Sequence, residues 1–168
     1  MTRKEAIEGY KAAKSADDLR ALCAGDLFFL LVYGMKREDM NRDWLYERCR
    51  EVQREPDGHL DLWSREHYKS TIITVGLTIQ NILNDPELTV GIFSHTRPIA
   101  KAFLRQIKRE FETNRLLQEL FPHICPPAKG ETRTWSEDGG IVVRRSTNPK
   151  ENTLEAWGLV DGQPTGKH

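Results

Sequence analysis

The chain has 168 residues, a length that fits about one domain and suffices to bury a core. Lysine plus arginine and aspartate plus glutamate both number 25, so the formal net charge is zero and no overall basic field draws the chain to nucleic acid. The three cysteines, Cys23, Cys49 and Cys125, are widely spaced without a Cys-x-x-Cys pair, which argues against a disulfide framework and a zinc site and fits a reducing, cytoplasmic setting.

From Lys4 to about Gln53 helix formers dominate. Leu19, Leu22, Cys23, Leu27 and Leu30 recur at three- and four-residue steps, which predicts two or three helices. The longest apolar run, Leu27 to Tyr33, is far shorter than the roughly 20 residues of a membrane span, and the first residues lack a signal peptide's apolar core. Glu55-Pro56-Asp57-Gly58 is a turn signal, after which His59-Leu60-Asp61-Leu62-Trp63 alternates as a strand does. The apolar stretch from Thr71 to Leu83 has the length of a buried helix, although its β-branched residues run against helix propensity.

Leu88 to Phe93 reads as a second strand, and Pro98 suits the first turn of a second helix. That helix places Ala100, Phe103, Leu104, Ile107 and Phe111 on one face and Lys101, Arg105 and Lys108 on the other. Strand, loop and helix thus occur twice, which predicts an α/β domain with a parallel sheet. Beyond Pro122 and Pro126-Pro127, Thr132 to Ser136 and Ile141 to Arg145 flank Glu137-Asp138-Gly139-Gly140 as a hairpin. The last residues, Gly162 to His168, read as a loop, and the chain as truncated.

The segment Ser64-Arg65-Glu66-His67-Tyr68-Lys69-Ser70-Thr71 lies between the first strand and the first long apolar helix. A phosphate loop of the form Gly-x-x-x-x-Gly-Lys-Ser/Thr occupies that place, because backbone N–H groups, a helix N-terminus and a lysine together neutralise phosphate charge. Only Lys69-Ser70 matches literally. Trp63 and Tyr68 stand at the glycine positions, so the loop is expected not to use positive φ freely. In the functional reading Lys69 holds the terminal phosphates and Ser70 offers its hydroxyl to magnesium, with Thr71 as the alternative if the register slips by one. The bland reading is an ordinary strand-to-helix loop.

Ser64-Arg65-x-x-x-Lys69-Ser70 resembles the deviant Walker A of the large terminase subunits of tailed bacteriophages. The resemblance continues through Gly91-Ile92-Phe93-Ser94-His95-Thr96, through Trp135-Ser136 to Arg144-Arg145-Ser146, and through Gly158 and Thr165-Gly166-Lys167-His168. It covers about residues 55–168, with motifs that are loose singly but agree in order and spacing.

The resemblance implies an α/β, P-loop NTPase-like (ASCE/RecA-like) parallel sheet with flanking helices at 55–168, preceded by an N-terminal helical segment at 1–54. It implies an ATPase that uses ATP and Mg2+ to move double-stranded DNA through a portal protein into a procapsid. The motor would act in the host cytoplasm, with a small terminase subunit, as a homo-oligomeric ring and with no membrane. By position Arg65 would be an arginine finger in cis, a group that supplies about three to five orders of magnitude in rate; the bland reading pairs it with Glu66 or another surface acid. Glu66, His67 and Tyr68 belong to the loop by position, with no chemistry assigned.

The family's Walker B acid, catalytic glutamate and nuclease are expected beyond His168, so residues 1–168 alone are expected to show little turnover. Asp161 reads as a turn residue rather than as Walker B, and Gln53 is the nearest candidate for the family's base-contacting glutamine. A basic stripe of Lys101, Arg105, Lys108 and Arg109, with Arg144-Arg145, offers DNA phosphates a local patch, although a solvated helix face is the simpler account. His67, His95 and His123 lack metal-ligand spacing. Two rivals stand beside the terminase reading: another P-loop helicase or translocase, and a non-catalytic P-loop-like binding module.

Overall fold

The computed structural model describes residues 1–55, 58, 60–125, 134–147 and 149–160. Its internal contacts divide the chain into two compact units, Met1–Gln80 and Asn81–His168, with the boundary inside a helix.

In the first unit α1 (Arg3–Ala12) and α2 (Ala16–Gly25) each open on a capping box, Thr2 with Glu5 and Ser15 with Asp18. Asp26 ends α2 and caps α3 (Leu27–Phe29), which runs on as a wider π-helical stretch, Leu30–Gly34. A single 3₁₀ turn, Glu38–Met40, leads to α4 (Asp43–Arg54). The two or three helices expected here are four, because Ser15 and Asp26 stop and restart the chain where the apolar periodicity alone runs through. Cys23, Leu27, Phe28, Leu30, Leu31, Leu45 and Cys49 are fully buried between them.

A buried Tyr10–Asp26 pair and the half-buried Gln53 tie these helices together. The Tyr10 hydroxyl donates to Asp26 Oδ2 at 2.6 Å while Asp26 Oδ1 accepts from Phe29 N at 3.0 Å. Gln53 accepts from Leu27 N at 3.0 Å and donates to the carbonyl of Gly25 at 3.2 Å and to Gln80 Oε1 at 3.0 Å.

The strand expected at 59–63 does not form over its described part. Residues 60–63 belong to no ladder, and Leu60 and Leu62 are each 82% exposed. Alternation yields a strand only where a sheet receives its apolar side, and this segment's neighbours within the unit are helices. Pro56, Asp57 and His59, parts of the expected turn and strand, lie outside the described residues.

The expected helix after Lys69 does form, with Ser70–Leu77 wound as a π-helix and Thr78–Asn84 as α5. The wide winding coincides with the crowded β-branched run Thr71-Ile72-Ile73-Thr74-Val75. A methyl group on Gly76 would come within 2.8 Å of Leu31 Cδ2 and 3.2 Å of Leu27 Cδ1, so glycine lets this helix lie close against α3 and its continuation.

The second unit is α/β. Its sheet has the order β1-β4-β3-β2, with β1 (Val90–Ser94) parallel to β4 (Leu154–Gly158). β2 (Trp135–Ser136) and β3 (Gly140–Ile141) form the expected hairpin, and β3 runs antiparallel to β4. The sheet is therefore mixed rather than parallel throughout, because the hairpin pairs directly with β4. Between β1 and β2 come α6 (Arg97–Thr113) and α7 (Arg115–Leu120).

α6 packs on β1 and β4 with Ala100, Leu104, Ile107 and Phe111 fully buried, four of the five residues expected on that face; Phe103 is half-buried. The expected features at Pro126-Pro127, Thr132, Arg133, Asp161 and 162–168 lie outside the described residues. Cys23, Cys49 and Cys125 are free and buried, and burial pushes each thiol up to about 12. No described helix is long and apolar enough to cross a membrane.

Candidate functional site

Residues 64–71 lie in the first unit as a turn that enters the helix at Lys69. Tyr68, at the second glycine position, has φ 61°, and Glu66 has φ 64°. Tyr68 thus adopts the left-handed backbone that the loop was expected not to use freely, at a cost of roughly 1–2 kcal/mol. Trp63, at the first glycine position, does not. Lys69 follows in the right-handed region, and a left-handed residue beside a right-handed one turns successive N–H groups to one side, as in an anion-binding nest. The helix begins as Ile72 N donates to the Tyr68 carbonyl at 2.9 Å, and N–H groups of a first helical turn have no intrahelical acceptor.

Lys69 is half-buried, and its ammonium donates to the Asp61 carbonyl at 3.3 Å, which anchors the side chain and leaves donors over. Ser70 and Thr71 follow in the first turn, both half-buried. Arg65 is exposed and forms no ion pair among the described residues, so the expected alternative, a pairing with Glu66 or another surface acid, is not made there. The His67 ring Nδ1 lies 2.8 Å from the Arg65 carbonyl. No described group of three or more His, Cys, Asp or Glu side chains converges to hold a metal.

The loop's aromatic side chains are held from α4 and the turn before it. Trp44 lies 5.9 Å from the His67 ring and 6.3 Å from the Tyr68 ring, and the Arg37 guanidinium sits 5.9 Å from the centre of Tyr68. Arg48, one turn beyond Trp44, lies 5.7 Å from the ring of Trp63. Sequence reasoning passed over Arg37, Trp44 and Arg48. The signal that points to two of them is the i, i+4 spacing of Trp44 and Arg48 on one helical stripe.

Gln53 is not poised for a base: its amide is committed to Leu27, Gly25 and Gln80. It lines an open cavity of about 690 Å³ with Met1, Gly25, Tyr46, Glu47, Arg50 and Arg54, which includes no residue of 64–71.

In the second unit the basic stripe of α6 meets the turn of the hairpin. Lys101 pairs with Asp138 at 2.7 Å, Arg105 grips Glu137 with two bonds of 2.7 and 2.6 Å, and Arg97 donates to the Asp138 carbonyl at 2.7 Å. Lys108 pairs with Glu112 at 2.7 Å. Hydrogen bonds from Arg105 and from Lys101 hold Glu137 and Asp138 below the usual carboxylate range. Much of the stripe's charge is therefore matched within the unit. Comparison of the chain with known families, curated proteins and solved structures finds no match.

Proposed function

We propose that residues 64–71 bind the phosphates of ATP with magnesium, and that the chain is the nucleotide-binding part of a DNA-packaging motor of the terminase large-subunit kind. The observation that carries this reading is the backbone at Tyr68-Lys69: a left-handed residue at the position of the loop glycine, followed at once by a lysine that opens a helix. Left-handed tyrosine is costly, and strain of this sort persists where the surroundings enforce it, commonly at ligand sites.

Within this reading Lys69 neutralises the outer phosphates and the first-turn N–H groups receive the inner ones. Ser70 offers its hydroxyl to magnesium, and Arg65 remains at the exposed lip of the loop as the group for transition-state charge. Bound ATP and magnesium supply the phosphoanhydride and the ion that offsets its charge. The parallel pair β1–β4 crossed by α6 suits a P-loop NTPase-like fold, and double-stranded DNA, a portal protein and a small terminase subunit are the partners this reading brings.

The unpaired segment 60–63 favours a second reading, a non-catalytic phosphate-binding module. Calorimetric titration with magnesium and ATP tests the first requirement of both. Lys69→Ala is expected to weaken binding by about tenfold or more, the loss of a charged hydrogen bond. Binding that is absent, or unchanged in the variant, rejects the site. The two readings part on the complete motor, where Arg65→Ala abolishes turnover only if the loop is catalytic.

A further inference from the structure

The two residues that stand where a phosphate loop has glycine are Trp63 and Tyr68, and both are gripped from the same side. Arg48 of α4 lies 5.7 Å from the Trp63 ring, and Trp44, four residues earlier, lies 6.3 Å from the Tyr68 ring. Arg37 lies 5.9 Å from the opposite partner of that contact, the centre of Tyr68, and donates to Asp39 at 3.0 and 2.9 Å. Asp39 is held below the usual carboxylate range first by Arg37 and in smaller part by a hydrogen bond from the Tyr68 side chain.

The grip is itself anchored. Arg3 of α1 donates to Asp43 at 2.6 Å and to Asn41 Oδ1 at 2.5 Å, which fixes the start of α4 just before Trp44. Lys36, with φ 56°, makes the left-handed turn that ends the preceding helix and delivers Arg37.

We propose that Arg37, Trp44 and Arg48 are positioning residues that splint the loop: Arg37 and Trp44 act through the ring of Tyr68, supplying from outside the left-handed backbone that glycine would supply from within, and Arg48 steadies the loop's entry through the ring of Trp63. This rests on residues 64–71 being the phosphate site. Glycine reaches the left-handed region without steric cost, whereas tyrosine must be held there. Bulky rings at the glycine positions are then handles for α4 rather than defects of the loop.

The test is a double-mutant cycle in the full chain, read by titration with magnesium and ATP. Trp44→Ala is expected to weaken binding about two- to tenfold, the span an aromatic contact commands beyond its buried area, and Trp44→Phe to restore most of it. In a Tyr68→Gly background Trp44→Ala is expected to change affinity less than twofold, because glycine no longer needs the splint. Equal losses in both backgrounds, or none in either, would overturn the proposal.

Amide hydrogen exchange without nucleotide separates this from failure of the phosphate site. Trp44→Ala is expected to speed exchange across 64–71 while leaving α2 protected, even if the chain binds no ATP. Unchanged exchange in 64–71 would end the splint on its own, and exchange that rises throughout the unit would show a merely structural tryptophan.

Discussion

Replacing Asp26 by alanine removes more from this chain than one carboxylate. Asp26 caps α3 through Phe29 N at 3.0 Å, accepts from the Tyr10 hydroxyl at 2.6 Å and lies 3.8 Å from Arg50, all at 7% exposure. Loss of the cap accounts for about 1 kcal/mol. The charged hydrogen bond adds about 1.5–3 kcal/mol, and the Tyr10 hydroxyl is left buried without its acceptor. We expect Asp26→Ala to lower stability by about 3–4 kcal/mol, a large share of a typical domain's roughly 5–15 kcal/mol. Tyr10→Phe keeps the cap and is expected to lose about 2 kcal/mol. The double variant is expected to lose about 1 kcal/mol or more less than the two single losses added, because the stranded hydroxyl is gone. Equilibrium urea unfolding followed by circular dichroism measures all three. Strictly additive losses, or an Asp26→Ala loss under about 1 kcal/mol, would refute the linkage of cap and hydroxyl.

The same hydroxyl sets an alkaline limit. Burial first, and then the bond to Asp26, raise the Tyr10 phenol well above its usual 10.0, so the unfolded chain ionises first and stability, full below about pH 10, falls as pH rises beyond it. Urea unfolding across that range is expected to show a slope that Tyr10→Phe makes shallower, the remainder coming from the three buried thiols, whose raised values act in the same direction from about pH 9 upward. Gly140 has φ 87°, and a methyl group there would sit 2.6 Å from the Leu154 carbonyl, so Gly140→Ala is expected to cost more than about 2 kcal/mol and to expose β4 amides to hydrogen exchange. Glu137→Gln with Asp138→Asn releases Lys101 and Arg105; if α6 meets DNA, duplex affinity is expected to rise, and its logarithmic salt slope to steepen by about one to two. Unaltered DNA binding would leave the stripe a solvated face.

What was legible in the sequence was what burial dictates locally. The stripe Ala100, Leu104, Ile107 and Phe111 announced α6, and the turn residues Glu137-Asp138-Gly139-Gly140 announced the hairpin. The segment 60–63 misled because alternation describes a strand's faces but says nothing of a partner for its backbone. β4 passed unnoticed because Glu155 interrupts its apolar run; in the fold that acid is buried and accepts from Asn152 and from the Trp157 indole. At the candidate site Lys69 and the helix start were readable, whereas the left-handed Tyr68 was not, since the side chains against its ring, Arg37 and Trp44, come from 31 and 24 residues away in sequence.

The buried thiols make the chain its own reporter of opening. Cys23 and Cys49 belong to the first unit and Cys125 to the second, each buried and with its thiol pushed up to about 12. A thiol so protonated reacts negligibly at neutral pH until its surroundings open. Pulsed alkylation followed by peptide mass analysis therefore times the opening of each unit separately, with no cysteine introduced into either.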